Sequence, residues 1–212
     1  MVRVHFVGKL ESVHHDLIHM GELTLESIAH SLDCLLRTEG ATYERATELE
    51  SNVDDWSRTI RDQAVEILVL QSPVAGDARL ITGVLESVID LEQIADYTHE
   101  ISDLAFQTDR CPTSQLLSQV VGTGERVGDM LANALDSWRR LDRALGLSVQ
   151  TAEASIRDYC RAVTERLYEL ISARADAQIY VNLILICKHF ERMARLIVNI
   201  AEQAVSAAPA ER

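Results

Sequence analysis

Residues 46–70, ATELESNVDDWSRTIRDQAVEILVL, and residues 149–173, VQTAEASIRDYCRAVTERLYELISA, carry one pattern twice at an offset of 103. In the first, Ala46, Leu49, Val53, Trp56, Ile60, Ala64, Ile67 and Leu70 recur at three- and four-residue steps. In the second, Val149, Ala152, Ile156, Tyr159, Val163, Leu167 and Leu170 keep the same rhythm. Such spacing lines one face of an α-helix and is incompatible with the two-residue period of a strand. Each segment therefore reads as a long helix with one buried stripe.

The duplication extends outward from this pair. Downstream, Leu91, Glu92, Ile94, Ala95 and Ile101 match Phe190, Glu191, Met193, Ala194 and Ile200 at an offset of 99, and upstream Leu10, Val13 and Gly21 match Leu117, Val120 and Gly128 at 107. The offset falls by four at each connection, as shorter loops in the second copy produce. Stripes through Leu17, Met20, Ile28 and Leu32, through Ile81, Val84 and Val88, through Val127, Leu131, Leu135 and Trp138, and through Ile179, Leu183, Ile186 and Ile197 supply the remaining helices. Gly40 and Gly146 are read as stops of the first and fourth, and Ser72-Pro73 as the cap and first turn of the third. The expected fold is all-α, two tandem three-helix bundles over 1–109 and 110–212, with the break around Cys111-Pro112.

Composition agrees. Three prolines and nine glycines in 212 residues leave long uninterrupted helix-forming stretches. Cys34, Cys111, Cys160 and Cys187 are scattered without a CxxC pair, so they read as thiols packed like small hydrophobes. The segment Met1 to Leu10 is too short and polar for a signal peptide, and the best apolar run, Ile179 to Cys187, is far below spanning length, which points to a soluble cytoplasmic chain. The net charge of −13 argues against nucleic acid as a partner. It is also uneven: residues 1–109 hold 7 Lys+Arg against 21 Asp+Glu, net −14, and residues 110–212 hold 13 against 12, net +1.

The acids concentrate in helical pairs. Glu50 and Asp54 in the second helix, and Glu92 and Asp96 in the third, each stand one turn apart directly after core positions, so the two faces flank a packing seam. Glu100 extends the second row, and His99 stands beside it. Crowded carboxylates suit a hard cation, although a solvated acidic face has the same spacing. Glu11, His15, His19 and Glu22 line one face of the first helix, where Glu11-Ser-Val-His14 has the Glu-x-x-His spacing of di-iron bundles; the nearest second copy is only Asp96-Tyr-Thr-His99. No phosphate loop, nucleophile elbow or catalytic Cys/His spacing is written, so no enzyme is expected.

Gln71-Ser-Pro-Val-Ala-Gly-Asp-Ala-Arg79, followed by Asp90-Leu-Glu-Gln-Ile-Ala-Asp96, resembles the Q-x-P-x-A-x-D-L-R turn and L-E-R-I-G-D helix of the PhoU family. His189-Phe-Glu-Arg-Met-Ala-Arg195 with Asn199-Ile-Ala-Glu202 resembles the matching second-copy strings. The resemblance covers nearly the whole chain. It implies a regulatory adaptor, commonly a homodimer, that engages the ATPase subunit of a phosphate ABC transporter and a sensor histidine kinase, reaches the membrane only through those partners, and restrains phosphate-starvation signalling. It also implies a site for metal ions (Fe, Mn, Mg or Zn) through E(D)-x-x-x-D motifs, which carries over to Glu50, Asp54, Glu92 and Asp96, with Glu100 as an added acid where the family commonly has Asn. Ser57 and Arg61 stand where the family usually has further acids. In the second copy Arg157 and Arg195 replace the second acid of each pair, so Glu153 and Glu191 are expected to form i,i+4 ion pairs with them and that site is read as lost. A carboxylate-bridged di-iron protein of the ferritin kind and a metal-free helical scaffold are the alternatives.

Overall fold

A computed structural model describes residues 2–71, 75–108, 114–171 and 177–209. Six helices account for almost all of them: α1 (Val2–Leu36), α2 (Tyr43–Gln71), α3 (Ala75–Phe106), α4 (Ser114–Arg140), α5 (Arg143–Ile171) and α6 (Ala177–Ala207), with no strand among the described residues. Helices α1, α2 and α3 pack on one another as one three-helix unit, and α4, α5 and α6 as its copy. The units meet through α1 against α4 and α3 against α6, which leaves α2 and α5 on opposite outer sides. Ser72-Pro73 and the break at Cys111-Pro112, with the 109/110 boundary, lie outside the described residues.

The helix stops are repeated as faithfully as the stripes. After α1, Arg37 adopts a left-handed φ of 57°, the Arg37 amide donates to the Cys34 carbonyl (3.3 Å) and the Thr38 amide to Asp33 (3.1 Å). After α4, Leu141 has φ 49°, its amide donates to Trp138 (3.2 Å) and Asp142 to Ser137 (3.0 Å). Both are Schellman stops built on a residue other than glycine. The next helix is then capped by Thr42, whose hydroxyl accepts from the Arg45 amide at 3.2 Å, or by Asp142, whose carboxylate accepts from the Leu145 amide at 3.0 Å. Gly40, with φ 92°, lies in the α1–α2 loop beyond the stop at Arg37 and does not itself end α1. Gly146 does not end α4: it is buried inside α5 against Val205 and Ser137, where a close approach needs a missing side chain.

The two contacts between units follow a pseudo-twofold rule. Across α3 and α6, Glu86 pairs with Gln203, Asp90 with Asn199 and Glu100 with His189, and in every pair the residue numbers total 289. Ala95 and Ala194, both fully buried, satisfy the same total and mark the crossing. The offset of 99 turns Asp90 into His189 and Glu100 into Asn199, so the second and third pairs are the same contact seen from either copy. Across α1 and α4 glycines allow the close approach. A Cβ on Gly21 would meet Leu135 at 2.2 Å, and one on Gly124 would meet Leu32 at 2.4 Å.

One apolar core runs through both units, from Val13, Leu17 and Val53 to Leu167, Phe190 and Ile197. Trp138, fully buried, donates its indole N–H to the Ile200 carbonyl at 3.0 Å. Small hydroxyls enter this core by bonding back along their own helix, Thr24 to Met20, Ser31 to Ile28 and Thr98 to Ala95, which satisfies them without a partner helix. Cys34, Cys160 and Cys187 are buried free thiols, and Cys187 lies within hydrogen-bonding reach of Cys160, which together with burial raises its pKa. Some stripe positions depart from the sequence reading, Ala152, Leu170 and Ile179 by being only half-buried. Leu70 and Tyr159 are exposed, Tyr159 lying under the Arg126 guanidinium at 4.5 Å, because α2 and α5 are outer helices with narrow contact faces. Trp56 is half-buried and receives the edge of His19 at 4.8 Å between ring centres.

Candidate functional site

The acidic rows of α2 and α3 face each other along the seam where these helices pack. Leu49 and Val53 of α2 and Leu91 and Ala95 of α3 sit fully in the core, and the acid that follows each one emerges at the seam's rim. Glu50, Asp54 and Glu92 are half-buried; Asp96 and Glu100 are exposed as whole residues. Asp96 is the centre of the group. Its pKa is raised first by partial desolvation of its carboxyl against the helix wall and then by the charges of Asp54, Glu50, Glu92 and Glu100. Asp54 is raised by desolvation and then by Glu92. The other four sequence-identified acids therefore all lie near enough to Asp96, along the cleft between α2 and α3, to raise it.

Proximity is not yet coordination. Among the described residues no three His, Cys, Asp or Glu side chains stand arranged around a single point as metal ligands would. Glu92 is already engaged: its Oε2 accepts from the Ser57 hydroxyl at 2.6 Å and from the Arg61 guanidinium at 2.5 Å. Ser57, Arg61 and Asp54 occupy one face of α2 at three- and four-residue spacing, and this is the sequence signal for the contact, since an Arg a turn or two along an acidic face reaches across the seam. Glu100 leans the other way, toward His189 Nε2 of α6 at 3.3 Å. The remaining donor set is entirely carboxylate oxygen, mutually repelling and partly desolvated, which is the chemistry a hard cation takes. The fit to such an ion is one of donor chemistry, five carboxylates along one helix seam, and not of a preformed arrangement.

The second copy shows what happens to this cleft when cations are built in. Glu153 accepts two hydrogen bonds from Arg157, at 2.9 and 3.1 Å, as the i,i+4 spacing predicts. Glu191 does not pair with Arg195; Lys188, one turn earlier, takes it at 2.8 Å. Lysine at i−3 points its flexible stem along the helix toward the carboxylate, so the nearer cation wins.

The di-iron alternative loses its histidines. His14 turns to the Trp138 carbonyl at 2.9 Å, and His99 meets the Thr47 hydroxyl at 3.2 Å while its ring packs on Tyr43. Glu11, His15, His19 and Glu22 line an open surface recess of about 510 Å³ together with Arg139, whose guanidinium pairs with Glu22 at 2.9 Å.

A duplicated three-helix scaffold with one acidic and one internally neutralised cleft defines an all-α class built on a repeat. The PhoU domain matches this chain twice, over residues 17–105 and 120–204, and the chain belongs to the PhoU family. It is 30% identical over 205 residues to the phosphate-specific transport system accessory protein PhoU homolog of Synechocystis, covering 95% of this chain and 90% of that protein. The crystal structure of PhoU from Pseudomonas aeruginosa superposes with a TM-score of 0.90 at 27% identity, over 95% of this chain and 98% of that one. The Streptococcus pneumoniae phosphate transport system regulatory protein PhoU, at 21% identity, shares the fold with a TM-score of 0.87, over 95% and 96% of the two chains.

Proposed function

We propose that this chain is a regulatory accessory protein of a phosphate-specific transport system, acting by binding rather than by catalysis. The observation that carries the reading is the match of both repeats, with similarity along nearly the full length, to proteins named for that role. No helix among the described residues is long and apolar enough to cross a membrane, which fits a chain that reaches a transporter through protein contacts. In this reading it works in the cytoplasm, as a homodimer, docks on the ATPase subunit of a phosphate ABC transporter and on a sensor histidine kinase, and restrains phosphate-starvation signalling while phosphate is plentiful. A scaffold of this kind imposes a brake only through differential affinity for one state of its partner. Deleting the gene should raise output from a phosphate-responsive promoter in phosphate-rich medium. Output equal in both backgrounds would remove the signalling role.

The acidic cleft is proposed to hold a divalent or trivalent metal ion through Asp96, Asp54 and Glu50, with Glu100 at its edge. The bound ion supplies positive charge and fixes α2 against α3, so that the face between them presents one conformation to a partner. The second cleft, already neutralised by Arg157 and Lys188, needs none. Elemental analysis of the purified protein beside an Asp54→Asn/Asp96→Asn variant tests this: metal retained in the variant would show that the ion sits elsewhere.

A further inference from the structure

Glu92 has the position of a ligand in the acidic cleft but not the freedom of one. Its Oε2 is held from α2 by two donors a turn apart, the buried Ser57 hydroxyl and the Arg61 guanidinium. Arg61 is itself only partly committed: Nη2 carries the ion pair, while Nε is buried with no hydrogen-bond partner. Of the five guanidinium donors just one is seen to serve Glu92, and an unpaired buried N–H carries a cost that release to solvent would remove. The neighbouring cation, Arg58, is turned to Asp55 at 2.9 Å.

The repeat gives an internal control. The offset of 103 places Thr164 where the first copy has Arg61, and places Arg157 where the first copy has Asp54. The second cleft is thus balanced by cations within single helices, Arg157 on Glu153 and Lys188 on Glu191, whereas in the first a single guanidinium crosses from α2 to α3. Both copies carry a built-in positive charge, and only the first leaves a surplus of acids beside it.

We propose that Arg61 is the resident cation of the α2–α3 cleft: it holds Glu92 out of the ligand set in the metal-free protein, and an incoming metal ion gains Glu92 only by displacing it. This rests on the metal-binding reading above and adds a gate to it. Arg61 competes with the ion for one carboxylate and repels it by like charge, so it sets how tightly and how many ions bind. The site is then tuned to respond to a rise in free cation rather than to remain saturated.

Mn²⁺ titrated into chelator-stripped protein, with free Mn²⁺ counted by its electron paramagnetic resonance signal, tests the gate. Four proteins are compared: wild type, Arg61→Gln, Glu92→Gln, and the double variant. Arg61→Gln should bind Mn²⁺ about tenfold more tightly, the effect of one added carboxylate and one lost positive charge. The gain should vanish in the double variant, which has wild-type net charge and no carboxylate to release. An affinity within twofold of wild type for Arg61→Gln, or a gain that survives in the double variant, would overturn the proposal. If none of the four proteins binds Mn²⁺, the metal-binding reading falls, and the resident-cation role is judged by melting in chelator alone. There Arg61→Gln should melt lower than wild type and the double variant should recover most of the loss; equal losses in both would overturn it.

Discussion

Asp90 is a single carboxyl whose surroundings make the stability of the whole chain depend on pH. It is pushed up to about 6 by burial between α3 and α6 and, to a smaller degree, by Glu86, with the Asn199 amide pulling in the opposite direction. The native state therefore holds a proton more tightly than the unfolded chain does. The stability contributed is complete below about pH 4 and is lost as pH rises through about 6. Its pseudo-twofold counterpart, His189, works in the other direction: burial lowers its pKa, Glu100 opposes and Arg192 adds to the lowering, so acidification below the ordinary histidine range favours the unfolded chain. Asp90→Asn keeps the shape and removes the charge. It should melt about 3–6 °C above wild type at pH 8, the shift of 1–2 kcal/mol in a chain of this size, and level with it at pH 4. Thermal melts across that range by circular dichroism read this directly, and a difference that does not shrink on acidification would show that Asp90 is not the source.

At the scale of elements, the first and second copies are joined by helices that approach closely because residues are small where they cross. Gly124 of α4 faces Leu32 of α1 and the fully buried Phe190 of α6, and a Cβ added to it would lie only 2.4 and 2.7 Å from them. Gly124→Val should cost about 1–3 kcal/mol by overpacking, measured by urea denaturation, whereas Gly8→Val, where a Cβ meets nothing within 4 Å, should cost far less. The Asp142 cap governs another element. It closes the first turn of α5 through the Leu145 amide, so Asp142→Ala should lower stability by about 0.5–2 kcal/mol in the same assay. A cost near zero would mean that water replaces the cap.

At the scale of the molecule, the continuous core has a consequence for unfolding. The apolar cluster does not divide between the two units, and α1 with α4 and α3 with α6 bury its middle. The chain should therefore unfold in one transition, with tryptophan fluorescence, from Trp56 in one unit and Trp138 in the other, coinciding with loss of helical circular dichroism. Two separated transitions would show units that are stable on their own. A common core also makes the acidic cleft and the second copy mechanically continuous, because Glu100 at the cleft's edge touches His189 of α6.

Periodicity and duplication by themselves determined the six helices, their pairing into two copies and the placing of five acids on facing helix rows, because those properties depend on spacing along one helix and on comparison of one copy with the other. Tertiary structure alone decided where α1 and α4 stop. Arg37 and Leu141 adopt the left-handed conformation usually left to glycine, and Gly146 serves close packing instead. It also decided that Tyr159 and Leu70 face outward, since an amphipathic stripe does not say how wide its partner is. Above all it decided the partners of charges. Arg61 reaches Glu92 across the seam, Lys188 displaces Arg195 at Glu191, and His189 meets Glu100 from the other copy. A long side chain pairs with whatever the packing brings within a few ångströms, and that distance is a property of the assembled helices, which no single helix contains.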